Sequence, residues 1–589
     1  MEEVTRIFDL LDRFKTVHKE QKEVFGYKDN GSWKTYTPEE YIEMANRLSS
    51  AFINLGVKPG DKVATVIRNS PEWNFTDMAL LQIGAIQIPI YPTISLEHYK
   101  HIFKEADIKI VILSDKEVYE KIKPALDEMV EHVYTIEKIE GVEHWSNLLE
   151  KETPAQHEEI EKRKASIKTD DTATIIYTSG TTGPPKGVML SHQNFISNFM
   201  AVIEIIEQNP VKKVMSFLPL CHVYERMLSY MYQYKGMTVY YAESIEALGD
   251  NLREVKPEMF CAVPRVLEKT YDKIVNKGRN LPLLQKMIFY WALKVGEQFD
   301  HHQKAGFLYP LKLKIANLLV FRKWREGLGG SLKLIVAGGA TLQSKLARTF
   351  WAAGIDIMEG YGLTETSPVI AVNNYINNDI KIGTVGPVLK GVEVKFTEDG
   401  EILCKGPNVM KGYYRQPGKT QEMFDEDGWF KTGDIGHLED GRFLKITDRK
   451  KEMFKTSGGK YIAPQVIENK MKGSPFIENV VVVGDGRKFA AALIVPNFYH
   501  LRSWCRVKGM DYTTDENMIQ NQRIIDRIEQ EIEKTNQSFG KTEQIKKFKL
   551  LSSQWGIETG ELSPTLKLKR RVIHEKYSKE IEELYNESN

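Results

Sequence analysis

The chain has 589 residues, enough for at least two domains and a sizeable core at about 100 to 200 residues per domain. Lys and Arg number 81 against 80 for Asp and Glu, a net charge of +1, so no global field draws the protein to nucleic acid or to an anionic membrane, and any such contact must be local. Cys221, Cys261, Cys404 and Cys505 lie too far apart for a zinc-type cluster or a small secreted disulfide framework, which fits a reducing cytoplasm.

At the N-terminus, "MEEVTRIFDLLDRF" mixes acids and bases with apolar residues and predicts a helix rather than a signal peptide. No apolar run reaches the roughly 18 residues a bilayer span needs. Between residues 60 and 190, short apolar runs ("KVATVI", "IKIVILS", "TATIIYTS") alternate with segments of helical period, which predicts an α/β fold with largely parallel sheets. The texture returns at "SLKLIVAGGATL", where Leu334 to Ala337 read as a buried strand and Gly338, Gly339 and Ala340 allow close backbone approach at its carboxyl end, where ligands collect in open α/β sheets.

From about 380 to 447 the chain reads as a β-rich subdomain, with hairpin signals at Asp399-Gly400 and Asp440-Gly441. The charge cluster "DRKKEMF" then marks a boundary near Asp448 to Lys451. Beyond it "NVVVVG" and "AALIVP" predict strands, and Ile524, Ile525, Ile528 and Ile532 mark one helical face that reads as core. The expected organisation is a large domain over 1–448, β-rich over about 380–447, and a smaller α+β domain over 449–589.

The stretch "IIYTSGTTGPPKGVML", residues 175 to 190, sets a glycine- and hydroxyl-rich segment between two apolar runs. Gly180, Gly183 and Gly187 permit unusual φ and uncovered N–H groups, Thr178, Ser179, Thr181 and Thr182 add hydroxyls, and Lys186 adds a positive charge. Those are the requirements of a phosphate cradle, although a plain surface loop has the same composition. Neither a Walker loop nor the G-x-G-x-x-G fingerprint is present.

At "YTSGTTGPPKGVMLSH" the sequence closely resembles the signature loop of the adenylate-forming enzymes, the superfamily of acyl-CoA synthetases, peptide-synthetase adenylation domains and beetle luciferases. The resemblance continues through "YGLTET" (361 to 366), "DGWFKTGDIG" (427 to 436), "ITDRKKEMFKTSGGKYIAPQVIE" (446 to 468) and "LSPTLKLKRR" (562 to 571), nearly the whole chain. "LPLCHVYER" (218 to 226), "VPRVLEKTYDKI" (263 to 274) and the segment from about 278 to 330 look like the long-chain fatty acid–CoA ligase branch.

The resemblance implies a reaction in two halves: a fatty acid's carboxylate attacks ATP's α-phosphorus and expels pyrophosphate, then the thiol of coenzyme A displaces AMP. It implies that Thr178 to Lys186 hold the outer phosphates, that Thr364 meets the α-phosphate and that Glu365 ligates Mg²⁺. Tyr361 would carry the adenine, with Gly338, Gly339, Ala340, Gly360 and Gly362 around it. Asp434 and Arg449 would reach the ribose, and a mobile C-terminal domain, pivoting near Lys450 and Lys451, would supply an adenylation lysine and then a pantetheine path beside Gly458 and Gly459. Lys567 fits that lysine, with Lys569 two residues away and Leu566 where the superfamily usually has glycine. His222 would lie near the acyl carboxylate, the alternative being a hydrogen-bonded structural histidine.

Residues 303 to 325, "QKAGFLYPLKLKIANLLVFRKWR", hold six Lys or Arg and no acid among large apolar residues. That composition suits a peripheral membrane contact, and equally a basic face on an internal helical pair. A cytoplasmic enzyme, peripheral to the inner face of a membrane, is the expected setting. Rival readings are a medium-chain or aryl acid–CoA ligase, a fatty acyl–AMP ligase serving a carrier protein, and a binder without turnover. The short stretch beyond Lys567 argues against an attached carrier domain.

Overall fold

In the computed structural model, residues 3–149, 153–178, 184–206, 211–302, 306–459, 461–563 and 566–586 are described. They form two compact units, the first comprising Met1–Gly339, Leu346–Val394 and Cys404–Phe430, and the second Ala340–Lys345, Lys395–Leu403 and Lys431–Asn589.

Two eight-stranded sheets build the first unit. In one, Lys62–Val66 pairs in parallel with Ile86–Pro89 and Ile110–Leu113, and the ladder continues in parallel to Thr172–Thr178 on one side and His132–Thr135 on the other. In the other, Lys213–Ser216, Thr238–Tyr241, Met259–Ala262, Leu334–Ala337 and Asp356–Gly362 run parallel. Helices such as Pro71–Gln82 and Val223–Lys235 make the crossovers. The architecture is the α/β one the alternating apolar runs predict, and the strand bounds at Leu334–Ala337 coincide with the expected ones.

One local feature differs from a plain crossover pattern. The two apolar runs of residues 175 to 190 are antiparallel partners, Thr172–Thr178 against Lys186–Ser191, in register up to Thr178 opposite Lys186. The glycine-rich stretch therefore joins the two strands of a hairpin at the side of an otherwise parallel sheet. Ser179, Gly180, Thr181, Thr182 and Gly183 lie outside the described residues.

Helix Pro71–Gln82 is buried almost all round, polar residues included. Those polar groups meet partners from the other sheet's crossover. Arg226, fully buried on helix Val223–Lys235, pairs with Asp77 and donates to Thr174 Oγ1 at 2.6 Å, while Tyr230 donates to Asp77 Oδ2 at 2.7 Å. Asn74 donates to Tyr241 Oη at 2.6 Å, and Tyr41 donates to Gln233 at 2.8 Å. A buried polar seam thus ties the crossover helices of the two sheets and the strand leading into the glycine-rich stretch.

Most of a four-stranded sheet of Glu393–Phe396, Glu401–Lys405, Phe430–Glu439 and Phe443–Arg449 belongs to the second unit, which also has a three-stranded sheet of Ile477–Val483, Ala491–Pro496 and Lys547–Leu550. Both hairpins fall where the sequence predicts them: Gly400 has φ +80°, and Asp440 and Gly441 have φ of +52° and +66°, the left-handed pair a tight hairpin needs. Ile524, Ile528 and Ile532 are buried in the core of this unit, and Ile525 packs beside it. Compactness groups residues 395–403 and 431–447 of the β-rich stretch with the C-terminal residues and leaves 380–394 and 404–430 in the first unit, so the compact units do not follow a single division at 449. All four cysteines are buried and unpaired.

Arg226→Met leaves the Asp77 carboxylate buried without its cation, an arrangement that costs about 3–5 kcal/mol. Denaturant unfolding is expected to show that loss, and the double variant Asp77→Leu/Arg226→Met is expected to recover most of it, because both charges then leave together.

Candidate active site

In the first unit, strand Asp356–Gly362 ends at Gly362 and a single tight turn, Thr364–Thr366, follows. Thr366 locks the turn: its hydroxyl donates to Pro368 O at 2.6 Å and accepts from Leu363 N at 3.0 Å. A methyl at Gly362 would stand 1.7 Å from the Pro368 carbonyl oxygen, so only glycine fits. At Gly360 the nearest atom to such a methyl, on Val372, is 3.5 Å away, an ordinary contact. Tyr361, partly exposed, lies opposite Ala371 of the neighbouring strand.

The turn presents Thr364 and Glu365, and the structure adds a residue that sequence reasoning missed. Tyr413 donates its hydroxyl to Glu365 Oε1 at 2.9 Å, and Lys186 Nζ sits 4.9 Å from the centre of the same ring. Burial, with the Glu365 charge adding to it, pushes the Tyr413 hydroxyl well above the usual phenol range, so it stays a donor. One aromatic side chain therefore brings the lysine of the glycine-rich hairpin together with the expected metal-binding carboxylate. Tyr413 reaches this place because Gly412–Tyr413 adds a short strand to Lys186–Ser191, and Met410 N bonds Glu365 O at 2.8 Å. The dipeptide "YY" at 413 and 414 was the only signal, and nothing local distinguished it from core.

Glu365 offers hard carboxylate oxygen, and one such group plus phosphate oxygens is a usual way to hold Mg²⁺, so the residue fits the ion. Among the described residues no group of three or more His, Cys, Asp or Glu gathers for a metal. Glu359, also missed, is buried beside Gly360 and accepts from Gly383 N at 3.3 Å; burial pushes its carboxyl up to about 8.

Gly338 and Gly339 follow strand Leu334–Ala337 as expected. A methyl at Gly338 would lie 3.2 Å from the Tyr224 ring, and Gly339 has φ +83°. Tyr224 also links this turn to His222, whose Nδ1 accepts from Tyr224 N at 3.2 Å and caps helix Val223–Lys235. Accepting at Nδ1 places the proton of the neutral ring on Nε2. The histidine thus caps its helix through the ring edge away from Nε2. Ala340 falls in the second unit.

In the second unit, Asp434 and Arg449 face each other across an antiparallel pair, with Nε 3.1 Å from Oδ1. Asp434 is buried, and its N–H bonds Thr432 Oγ1 at 3.1 Å. Lys450, an expected pivot residue, is held by Asp399 at 2.7 Å and Glu401 at 2.8 Å. The neighbouring Asp448 is buried, accepts from Arg449 N and Gln465 N, and is pushed up to about 7 by burial. Around Gly459, φ +75°, a methyl would meet nothing, and at Gly458 only Thr456 Oγ1 at 3.9 Å.

Lys567 is exposed on a turn in which Ser563 Oγ accepts from Lys567 N at 3.0 Å and Ser563 N bonds Lys567 O at 2.8 Å. Leu566 has φ +60°, a left-handed conformation that explains why glycine suits this position. Lys569, also exposed, leads into helix Arg570–Lys576. That helix is anchored by Arg570, which bonds Glu452 at 2.7 Å and Glu468 at 2.6 Å.

Residues 12–414 match the family described as AMP-binding enzyme, and residues 452–589 match the AMP-binding enzyme C-terminal domain. Long-chain-fatty-acid–CoA ligase FadD15 of Mycobacterium bovis is 34% identical over 577 residues, covering 95% of this chain and 93% of that one. The fold is shared with the adenylation domain of a carboxylate reductase from Mycobacterium chelonae (TM-score 0.74, 20% identity, 100% and 92% of the two chains). It is also shared with the anthranilate CoA ligase AuaEII in complex with anthranoyl-AMP (TM-score 0.71, 18% identity, 97% of each chain).

Gly362→Ala is expected to lower unfolding stability by at least about 2 kcal/mol, since a backbone carbonyl must move, while Gly360→Ala stays within about 1 kcal/mol. Thermal melts of the two variants decide. Asp448 yields a second test. Its folded pKa lies above the unfolded value near 3.9, so the folded chain binds the extra proton, and the stability present below about pH 4 is lost as pH rises to about 7. Asp448→Asn is therefore expected to gain on the wild type across that window and to hold a constant margin above it.

Proposed function

The chain belongs to the AMP-binding enzyme family, and from that membership we propose that it ligates long-chain fatty acids to coenzyme A, using ATP and forming an acyl adenylate. It is an enzyme of the adenylate-forming ligases. The observation that carries the chemistry is the Tyr413 ring, which brings Lys186 and Glu365 to one place, a cation and a carboxylate suited to polyphosphate with Mg²⁺. The long-chain reading is supported by the likeness to the Mycobacterium bovis ligase and by the segment from about 278 to 330.

In the first half the acid's carboxylate oxygen bonds to the α-phosphorus, the bond to the β-phosphate oxygen breaks, and pyrophosphate leaves. Lys186 and the glycine-rich hairpin would neutralise the outer phosphates, and Thr364 would donate to an α-phosphate oxygen. Glu365 would hold Mg²⁺, which supplies further neutralisation when bound; Tyr413 fixes the carboxylate by one oxygen, and a carboxylate has acceptor capacity beyond that bond. Asp434, acceptor-only when ionised, suits both ribose hydroxyls, with Arg449 holding it in place. The Lys567 ammonium would meet the charge developing between carboxylate and phosphate. In the second half the thiol of coenzyme A loses its proton and attacks the acyl carbonyl carbon, and AMP leaves. A movable C-terminal domain presenting first Lys567 and then the open segment at Gly458 and Gly459 would separate the two halves.

Purified protein with ATP, Mg²⁺, coenzyme A and saturated acids of increasing length is expected to release pyrophosphate and acyl-CoA together, fastest with long chains. A preference for short or aryl acids, pyrophosphate without thioester, or neither product would each replace the reading with one of its rivals. Lys567→Ala is expected to cut adenylation about 10²–10³-fold, with Lys569→Ala near wild type. Tyr413→Phe, which keeps the ring and removes the hydroxyl, is expected to raise the Mg²⁺ needed for half-maximal rate at least about tenfold.

A further inference from the structure

Helix Leu283–Gly296 and the helical run Tyr309–Ala316, Asn317–Phe321 and Arg322–Gly327 pack side by side in the first unit. Their shared inner face is an ordinary core of Phe289, Leu293, Val320, Phe321 and Trp324. The outer face is also apolar. Along the second run Leu311, Ile315, Leu318 and Leu319 follow helical spacing and are all exposed, Leu318 at 67%. Leu283 and Leu284 are exposed at 76% and 70% at the start of the first helix, with Met287 one turn on, and Phe307 is exposed at 91%.

A helix pair apolar on both faces is unusual on a protein surface, where the outer face is normally polar. The charges here are one-sided. Residues 280–296 and 306–325 contain seven Lys or Arg and no Asp or Glu, in a chain whose total net charge is +1. Lys312, Lys314 and Lys323 are exposed beside the apolar stripe, where long side chains can lay their stems along it and extend their ammonium groups outward. Arg322 at the far end pairs with Glu326. Gln303, Lys304 and Ala305 lie outside the described residues.

We infer that this outer face docks on an anionic lipid surface, the leucines entering the headgroup boundary and the lysines meeting lipid phosphates. Charge complementarity selects this occupant. A second copy placed by twofold symmetry would bring two basic patches together, which repels. No helix among the described residues is long and apolar enough to cross a membrane, so the contact is along the surface.

Sedimentation with phosphatidylcholine vesicles, with and without phosphatidylglycerol, tests it without ATP or acid, so its failure leaves the ligase reading standing, and the reverse holds too. Binding to the anionic vesicles that weakens with added salt is expected. Lys312→Glu/Lys323→Glu is expected to weaken it about thirtyfold or more, and Leu311→Ser/Leu318→Ser at least tenfold, with melting temperatures unchanged because all four side chains are exposed. Equal sedimentation with neutral vesicles, no sedimentation, or variants that bind like the wild type overturns the inference. So does light scattering that shows a dimer lost in the leucine variant while vesicle binding persists.

Discussion

The first unit depends on one buried ion pair. Arg226 and Asp77 are both inaccessible, and they sit on crossover helices belonging to different sheets. Removing two charges from water costs several kcal/mol per ion, and the pair tolerates this only because Thr174, Tyr230 and the surrounding hydroxyls complete the hydrogen bonding. That requirement fixes geometry. The Arg226 guanidinium has a planar fork of donors, so the two helices and strand Thr172–Thr178 must meet at one spacing. The strand so fixed is the one that runs into the glycine-rich stretch.

From that anchor the rest of the site follows by short steps. The hairpin partner Lys186–Ser191 takes its register from Thr172–Thr178, Gly412–Tyr413 takes its place from the hairpin, and the Tyr413 hydroxyl takes hold of Glu365. On the other side, His222 caps the helix that carries Arg226, and the next residue but one, Tyr224, lies against Gly338. One helix turn of "LPLCHVYER" therefore serves two places: Arg226 faces the seam and His222 caps the helix start. Such economy means that substitutions in the seam would disturb the site without touching it.

The second unit solves a different problem, holding a short lysine-bearing turn in place. Arg570 bonds Glu452 and Glu468, burying a cation against two carboxylates just beyond Lys569, and Leu566 accepts a left-handed backbone so that the turn can close. Leu566 also packs beside the core of this unit, contact that a glycine would lack. The departure from the superfamily's usual glycine is thus a trade of backbone ease for apolar packing.

Local patterns were legible in the sequence because they depend on near neighbours. Apolar alternation marked the strands, Asp-Gly pairs marked both hairpins, and isoleucines at helical spacing marked a core face, each through the repeat of the backbone itself. Motif likeness offered Thr364, Glu365, Asp434, Arg449 and Lys567 as candidate site residues, and the structure pairs Asp434 with Arg449 across a ladder. Tertiary structure alone decided the rest. Tyr413 meets Glu365 across 48 positions and Arg226 meets Asp77 across 149, separations at which no local periodicity carries information. It also decided that Gly362 is obligatory and Gly360 is not, because a methyl's room depends on whichever backbone atom the fold brings opposite, and that partner is chosen by packing rather than by the residue's neighbours in the chain.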